Sequence, residues 1–279
     1  WVMLHGAGKL PESLAHAKQL QEQSRRQGQS AWYGWGLYAE AQYLFWKGRV
    51  QQAELALDEA LGAMAYEQPV PAMDAALGHH CPALVYSLLG LAQVLQGRFE
   101  QGIANARHAQ FLASQSQSRI SAVIAEIQML RILYLQGNLD MLAGRSQALL
   151  GMLQPVLPGS VWCAVAETYV LYWRLVRGEE TGSELERLLG LLPEFARSMP
   201  LATDAFLCIV ARCHLAQGEI ERASQALDQV GQIAQERAST LYLPELDCLR
   251  GDLAWVRADR QQAQVCWAQA QQEVLRSGL

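Results

Sequence analysis

The chain has 279 residues, of which 51% are hydrophobic and 18% charged, and its formal net charge at pH 7 is −5. This balance argues against direct binding to nucleic acid, because such binding needs a basic surface that neutralises phosphates. Leu, Ala and Gln are abundant and β-branched residues are sparse, which favours helix on propensity grounds.

Membrane and secretory signals are missing from the sequence as it stands. No uncharged apolar run approaches the ~18 residues that a membrane-spanning helix needs, and no basic segment precedes a short apolar one. The six cysteines are irregularly spaced and lie mostly in apolar, helical stretches. That pattern is typical of reduced, buried thiols in a cytoplasmic protein rather than of a disulfide framework.

Residues suited to helix–helix turns recur along the chain. They stand at Gly8, Gly48, Gly97, Gly137, Gly178, Gly218 and Ala258, at intervals of 40, 49, 40, 41, 40 and 40 residues. Small residues, such as Gly90 before one turn and Gly102 after it, recur where two antiparallel helices would cross closely. The spacing predicts an all-α protein, a right-handed superhelix (α-solenoid) of helical hairpins with a repeat of about 40 residues.

The predicted helices follow in chain order. A stub at 1–7 and its partner at 11–26 come first, and a second hairpin spans 31–47 and 49–66. An insertion at 67–80, whose two prolines break the helix, accounts for the long interval. Further hairpins are predicted at 82–115, 120–153, 160–197, 202–237 and 243–277. The chain is thus predicted to be one repeat domain, 1–279, and its incomplete first unit indicates a fragment of a larger multidomain protein.

Two registers on the first helix of each hairpin are the candidate binding residues. Six residues before the turns stand Gln42, Leu91, Arg131, Tyr172, Arg212 and Asp252, and three residues further on stand Phe45, Val94, Tyr134, Leu175, Leu215 and Trp255. They predict a groove with an apolar floor, in which two arginines flanking Tyr172 suit a peptide or an anionic small ligand. The alternative is that these residues brace adjacent repeats, as most array positions do.

Helix 31–47 is unusually aromatic. Its aromatic side chains recur at spacings of three and four and make a broader face than one helix–helix contact needs. Core packing is the favoured interpretation. The alternative is an interaction surface, with Trp32, Trp35 and Tyr38 as its candidate residues.

Three other patterns were considered as phosphate-binding, metal-binding or catalytic sites and are not predicted to have these roles. The string HGAGKL at 5–10 lacks the first glycine and the hydroxyl of a phosphate-binding loop. Segments 79–81 and 213–214 combine His and Cys, but neighbouring residues on a helix diverge by about 100° and cannot easily share a metal ion. Glu126 and Glu167 occupy one register, and a structural role is favoured over catalysis. We therefore expect no enzyme activity, no cofactor and no bound metal.

Longer segments resemble a known group of proteins. The hairpin pattern resembles tetratricopeptide repeats, and the longer repeat resembles the C-terminal region of bacterial signalling ATPases, including maltose-regulon-activator-type transcriptional regulators. Segment 66–102 (YEQPVPAMDAALGHHCPALVYSLLGLAQVLQGRFEQG) and segment 242–255 (YLPELDCLRGDLAW) are similar to cyclase-associated predicted ATPases. The family's His-Asp step reads His79-His80-Cys81 here.

The resemblance implies a regulatory module rather than an activity. It would bind a protein, a peptide or a small effector, and relay this to an ATPase or to a transcriptional or cyclase output domain elsewhere in the polypeptide. The alternative is a freestanding adaptor that scaffolds a protein complex. Neither alternative involves direct contact with nucleic acid or a membrane.

Overall fold

The structure, a computed structural model, describes residues 2–65, 78–116, 118–178 and 183–277. Within these ranges every regular element is helical, and no β-strand occurs there. This outcome agrees with the high content of strong helix formers and the sparse β-branched residues. The all-α class predicted from the sequence is therefore confirmed.

The helices are numbered here in chain order. The α-helices are α1 Val2–Gly6, α2 Leu10–Gln27, α3 Ser30–Trp46, α4 Val50–Ala65, α5 Cys81–Leu95, α6 Phe99–Gln115, α7 Arg119–Leu135, α8 Leu139–Leu153, α9 Val161–Arg177, α10 Ser183–Gly190, α11 Leu192–Ser198, α12 Thr203–Ala216, α13 Ile220–Arg237, α14 Leu243–Val256 and α15 Arg260–Ser277. A 3₁₀ turn at Pro200–Ala202 precedes α12. Prolines stand in the first turn of α2, α5, α11 and α14, where a missing N–H costs no helical hydrogen bond.

All seven residues predicted as turns directly follow a helix or lie between two helices, and all have positive φ. The φ values run from +62° at Ala258 to +77° at Gly48 and Gly97. Glycine adopts this left-handed conformation readily, whereas a residue with a Cβ is strained by about 1 kcal/mol or more. Ala258 thus carries a strain that the glycines avoid.

The chain divides into two compact units. The first comprises Trp1–Phe45 and Arg49–Asn138, and the second Trp46–Gly48 and Leu139–Leu279. In the first unit α5 and α6 cross so closely that a Cβ on Gly90 would stand 2.6 Å from the carbonyl oxygen of Gly102. A Cβ on Gly102 would in turn stand 2.5 Å from the carbonyl oxygen of Gly90. Both glycines are therefore required by close backbone approach.

The second unit departs from the predicted hairpin at 160–197. The partner of α9 is not one helix but two short ones, α10 and α11, separated at Leu191. Pro193 explains the break, because it lacks the N–H that a continuous helix would use. The ring of Phe195 on α11 stacks on that of Phe206 on α12, with centroids 4.5 Å apart. In the same unit, the Thr240 hydroxyl donates a 2.9 Å hydrogen bond to the Lys47 carbonyl.

Most of the predicted insertion at 67–80, namely residues 67–77, lies outside the described residues. Across the part of the chain that the structure describes, no helix is both long and apolar enough to cross a membrane.

Candidate ligand-binding face

The predicted binding residues of the first unit are used for packing. Phe45 is fully buried, and the guanidinium carbon of Arg131 lies 5.8 Å from the centroid of its ring. Arg131 also donates a 3.3 Å hydrogen bond to Gln128, and Gln42 donates a 2.6 Å bond to the Tyr38 hydroxyl. Tyr134 of the same register is half-buried. The bracing interpretation therefore describes this unit better than an open groove does.

The candidate interface on α3 is corrected by its burial. Trp35 and Tyr38 are 1% and 4% exposed, and their rings meet edge to face with centroids 5.7 Å apart. Burial also raises the pKa of the Tyr38 phenol well above its usual range. Neither side chain is available to a partner, and only Trp32 remains half-buried.

The cause of this burial is that α3 packs against both of its neighbours in the chain. A Cβ on Gly36 would stand 2.6 Å from the side chain of Gln21 on α2, and one on Gly34 would stand 2.8 Å from Met64 on α4. The aromatic residues therefore surround a helix with partners on two sides. The core interpretation of the aromatic pattern is the one that the packing supports.

In the second unit, Arg212 is held by an acidic partner that the sequence pattern did not indicate. Its Nε and one terminal nitrogen donate to Oε1 of Glu245, at 3.3 and 3.2 Å. Tyr172 is buried nearby, and its pKa is raised by burial, while the positive charge of Arg212 acts in the opposite direction. The arginine predicted to hold an anionic ligand is thus already engaged by a carboxylate.

A more open set of side chains runs along α14. Glu245, Cys248, Asp252 and Trp255 follow one another at spacings of three, four and three residues, which places them on one face of the helix. The Glu245 side chain is 16% exposed, Cys248 is exposed and Trp255 is 51% exposed. We call these four residues the α14 stripe.

Trp255 stands out from the other members of its register. At the equivalent position of earlier hairpins, Phe45, Val94 and Leu175 are 0%, 3% and 1% exposed, and Tyr134 and Leu215 are half-buried. Trp255 is larger than any of them and leaves about half of its surface in solvent. Its ring faces that of Trp267 on α15, with centroids 5.9 Å apart, and the guanidinium carbon of Arg260 lies 5.4 Å from its centroid.

Several charged side chains act on the centre of the stripe. Burial raises the pKa of the Cys248 thiol, and the carboxylates of Asp252, Glu245 and Asp247 add to the rise, whereas Arg212 opposes it. Three carboxylates and one guanidinium therefore act on this sulfur. Asp252 accepts a 3.2 Å hydrogen bond from the indole N–H of Trp267, and a carboxylate offers about four acceptor positions, so this bond uses only a part of its capacity.

Cys213 and His214, considered above as metal ligands, pack and pair within the protein. Cys213 is fully buried, and burial raises the pKa of its thiol to about 12, which disfavours the thiolate that metals bind. The Nδ1 atom of its neighbour His214 lies 2.7 Å from Oε2 of Glu219. Among the described residues, no three His, Cys, Asp or Glu side chains are grouped so that they could hold a metal ion.

The two glutamates considered for catalysis and the HGAGKL string also have structural explanations. Gln110 donates a 2.5 Å hydrogen bond to Glu126. Glu167 forms an ion pair with Arg187, as expected for a structural carboxylate. Gly8 of the HGAGKL string has a φ of +74° in the turn between α1 and α2.

No protein-family model matches the chain, and no curated protein matches it.

The sequence pattern indicates two residues of the α14 stripe, Asp252 and Trp255, which lie six and three residues before the turn at Ala258. It does not indicate the other two. Cys248 and Glu245 lie one and two helical turns before Asp252 on the same face, so the same register, extended toward the start of the helix, includes them.

Proposed function

We propose that the chain is a non-catalytic regulatory domain, built as a right-handed superhelix of hairpins with a repeat of about 40 residues. It binds a protein or peptide through the α14 stripe and relays this occupancy to an ATPase or to a transcriptional or cyclase output domain of the same polypeptide. The resemblance of its repeats to those of cytoplasmic bacterial signalling ATPases supports this assignment.

The observation that carries the proposal is the exposure of Trp255. Leaving about half of a tryptophan in water forgoes roughly 2–3 kcal/mol of burial free energy. The same register accommodates a fully buried side chain at Phe45, so the position is not inherently exposed. A large aromatic ring beside a carboxylate combines the apolar area and the polar group that recognition surfaces use.

The assay for binding is a thermal-shift screen of peptides and metabolites on the full chain. We expect the screen to find a ligand that raises the melting temperature of the wild type much more than that of Trp255→Ala. The ligand should be recovered chemically unchanged. Phe111→Ala is the matched control, because Phe111 is an aromatic residue with 58% exposure in the other unit. A ligand that is consumed, or that stabilises Trp255→Ala as strongly as the wild type, would contradict the proposal.

The relay requires a second measurement in the natural polypeptide. If the domain regulates an ATPase, ligand binding should change the rate of nucleotide hydrolysis, and Trp255→Ala should abolish that response. A freestanding adaptor would bind the same ligand without any such change.

A further inference from the structure

We infer that the α14 stripe docks a cationic peptide segment, in which a lysine or arginine is adjacent to an apolar residue. This inference rests on the proposed function and specifies the partner class of the same site. It reverses the charge preference that the arginines of the sequence suggested.

The apolar part of the docking surface is Trp255. Its exposed half offers a flat aromatic area, and such areas are frequent centres of peptide and protein recognition. The same ring already lies within 5.4 Å of the guanidinium of Arg260. Its environment therefore accepts a cation near the aromatic surface, which is the interaction that a partner lysine or arginine would repeat.

The polar part of the surface is the carboxylate of Asp252. It lies one helical turn before Trp255, so a cation bound to it could have its aliphatic stem on the indole. Glu245, at the other end of the stripe, accepts two hydrogen bonds from Arg212, and Asp247 is buried with Arg250 3.9 Å away. The cation of the peptide is therefore assigned to Asp252.

The same contacts argue against an anionic ligand. Arg212 donates two hydrogen bonds to Glu245, and an incoming anion would have to displace that carboxylate or approach it. Arg260 lies over the ring of Trp255, and Arg257 donates a 2.9 Å hydrogen bond to Glu221. Each of these three guanidinium groups would have to give up such a contact to bind an anion.

The size of the stripe indicates a peptide rather than a small metabolite. Glu245 and Trp255 are ten residues apart, which at 1.5 Å per residue is about 15 Å along the helix axis. An extended peptide covers that length with roughly four to five residues. A segment of this size could contact the carboxylates and the indole together.

The experiment is a selection of phage-displayed random twelve-residue peptides on the full chain, with counter-selection on Trp255→Ala. Enriched peptides are synthesised and their affinities measured by fluorescence anisotropy at low and high salt. The critical variant is Asp252→Asn, because asparagine retains an oxygen that accepts the Trp267 hydrogen bond but removes the charge. Asp228→Asn is the matched control, since Asp228 is 76% exposed and lies on α13 of the same unit.

We expect the enriched peptides to contain Lys or Arg and to bind more weakly as salt rises. Asp252→Asn should weaken them about fivefold and Trp255→Ala roughly tenfold or more, while Asp228→Asn leaves them unchanged. Peptides that depend on Trp255 but are acidic, or are insensitive to Asp252→Asn, would overturn the charge assignment and leave the proposed function standing. A selection that yields no Trp255-dependent peptide would overturn both.

Discussion

The crossing of α5 and α6 gives a prediction with a definite sign, which is that Gly90→Ala destabilises the protein. The added Cβ would stand 2.6 Å from the carbonyl oxygen of Gly102 and 2.9 Å from the backbone nitrogen of Ala106. Both atoms belong to the backbone of α6, so the clash cannot be relieved by rotating a flexible side chain. The helices must move apart, and overpacking of this kind costs about 1–3 kcal/mol.

Helix propensity acts in the opposite direction. Alanine is favoured over glycine inside a helix by about 1 kcal/mol, so a substitution without a clash should stabilise the protein. Gly62 on α4 is the matched control, because it is exposed and a Cβ there would meet nothing within 4 Å. We expect Gly90→Ala to lower the free energy of unfolding by up to about 2 kcal/mol, after the propensity gain is subtracted, and Gly62→Ala to raise it by up to about 1 kcal/mol.

The assay is urea unfolding followed by circular dichroism at 222 nm, with the slope compared between variants to verify that the transition is unchanged. The close-approach explanation would be wrong if Gly90→Ala were as stable as Gly62→Ala. Equal stabilisation would mean that α5 and α6 do not require the short distance between their backbones.

Three further predictions concern the turns, the acid response and the thiols. Ala258→Gly should raise the free energy of unfolding by about 1 kcal/mol, because glycine adopts a φ of +62° without strain. Gly218→Ala, at the equivalent turn, should lower it by a similar amount. If both substitutions changed the stability in the same direction in urea unfolding, the assigned turn geometry would be wrong. Burial opposes ionisation of Glu54, but hydrogen bonds from Arg98 and two glutamines outweigh it and hold the pKa of Glu54 below its ordinary value. The ionised Glu54 carboxylate therefore stabilises the fold at pH values above that ordinary value, and this stabilisation is lost as the pH falls through the folded-state pKa. The difference in free energy of unfolding between wild type and Glu54→Gln should accordingly shrink from pH 7 to pH 3. A constant difference would refute the assignment. Cys248 is the one exposed cysteine of six, so a thiol reagent should modify a single residue in the native protein, increasingly fast as alkaline pH ionises the thiol, and Cys248→Ser should abolish this fast reaction.

Much of the helical order could be predicted because it depends on short-range features. Glycine at a turn and small residues at a helix crossing are consequences of local backbone geometry, and Gly90 and Gly102 lie at the crossing where the sequence predicted them. The break at Leu191 is also local, since Pro193 cannot donate the hydrogen bond of a continuous helix.

The candidate site was harder to predict because exposure depends on packing between distant segments. Trp35 and Trp255 both look like interaction residues in the sequence. The first is enclosed because α3 has neighbours on two sides, whereas the second remains half in solvent. The ion pair of Arg212 could not be predicted for a related reason. Glu245 lies 33 residues from Arg212, and no periodic pattern indicated that the two would pair.

Protection of Cys248 from alkylation tests the central claim, that the α14 stripe is a recognition surface, most directly. The reaction is followed by mass spectrometry in the full chain, with and without a saturating peptide selected on the wild type. Because Cys248 lies between Glu245 and Asp252 on the exposed face of α14, we expect the bound peptide to slow its alkylation roughly tenfold or more, as a tight complex would. An unchanged alkylation rate at Cys248, while anisotropy shows the peptide bound, would contradict the account.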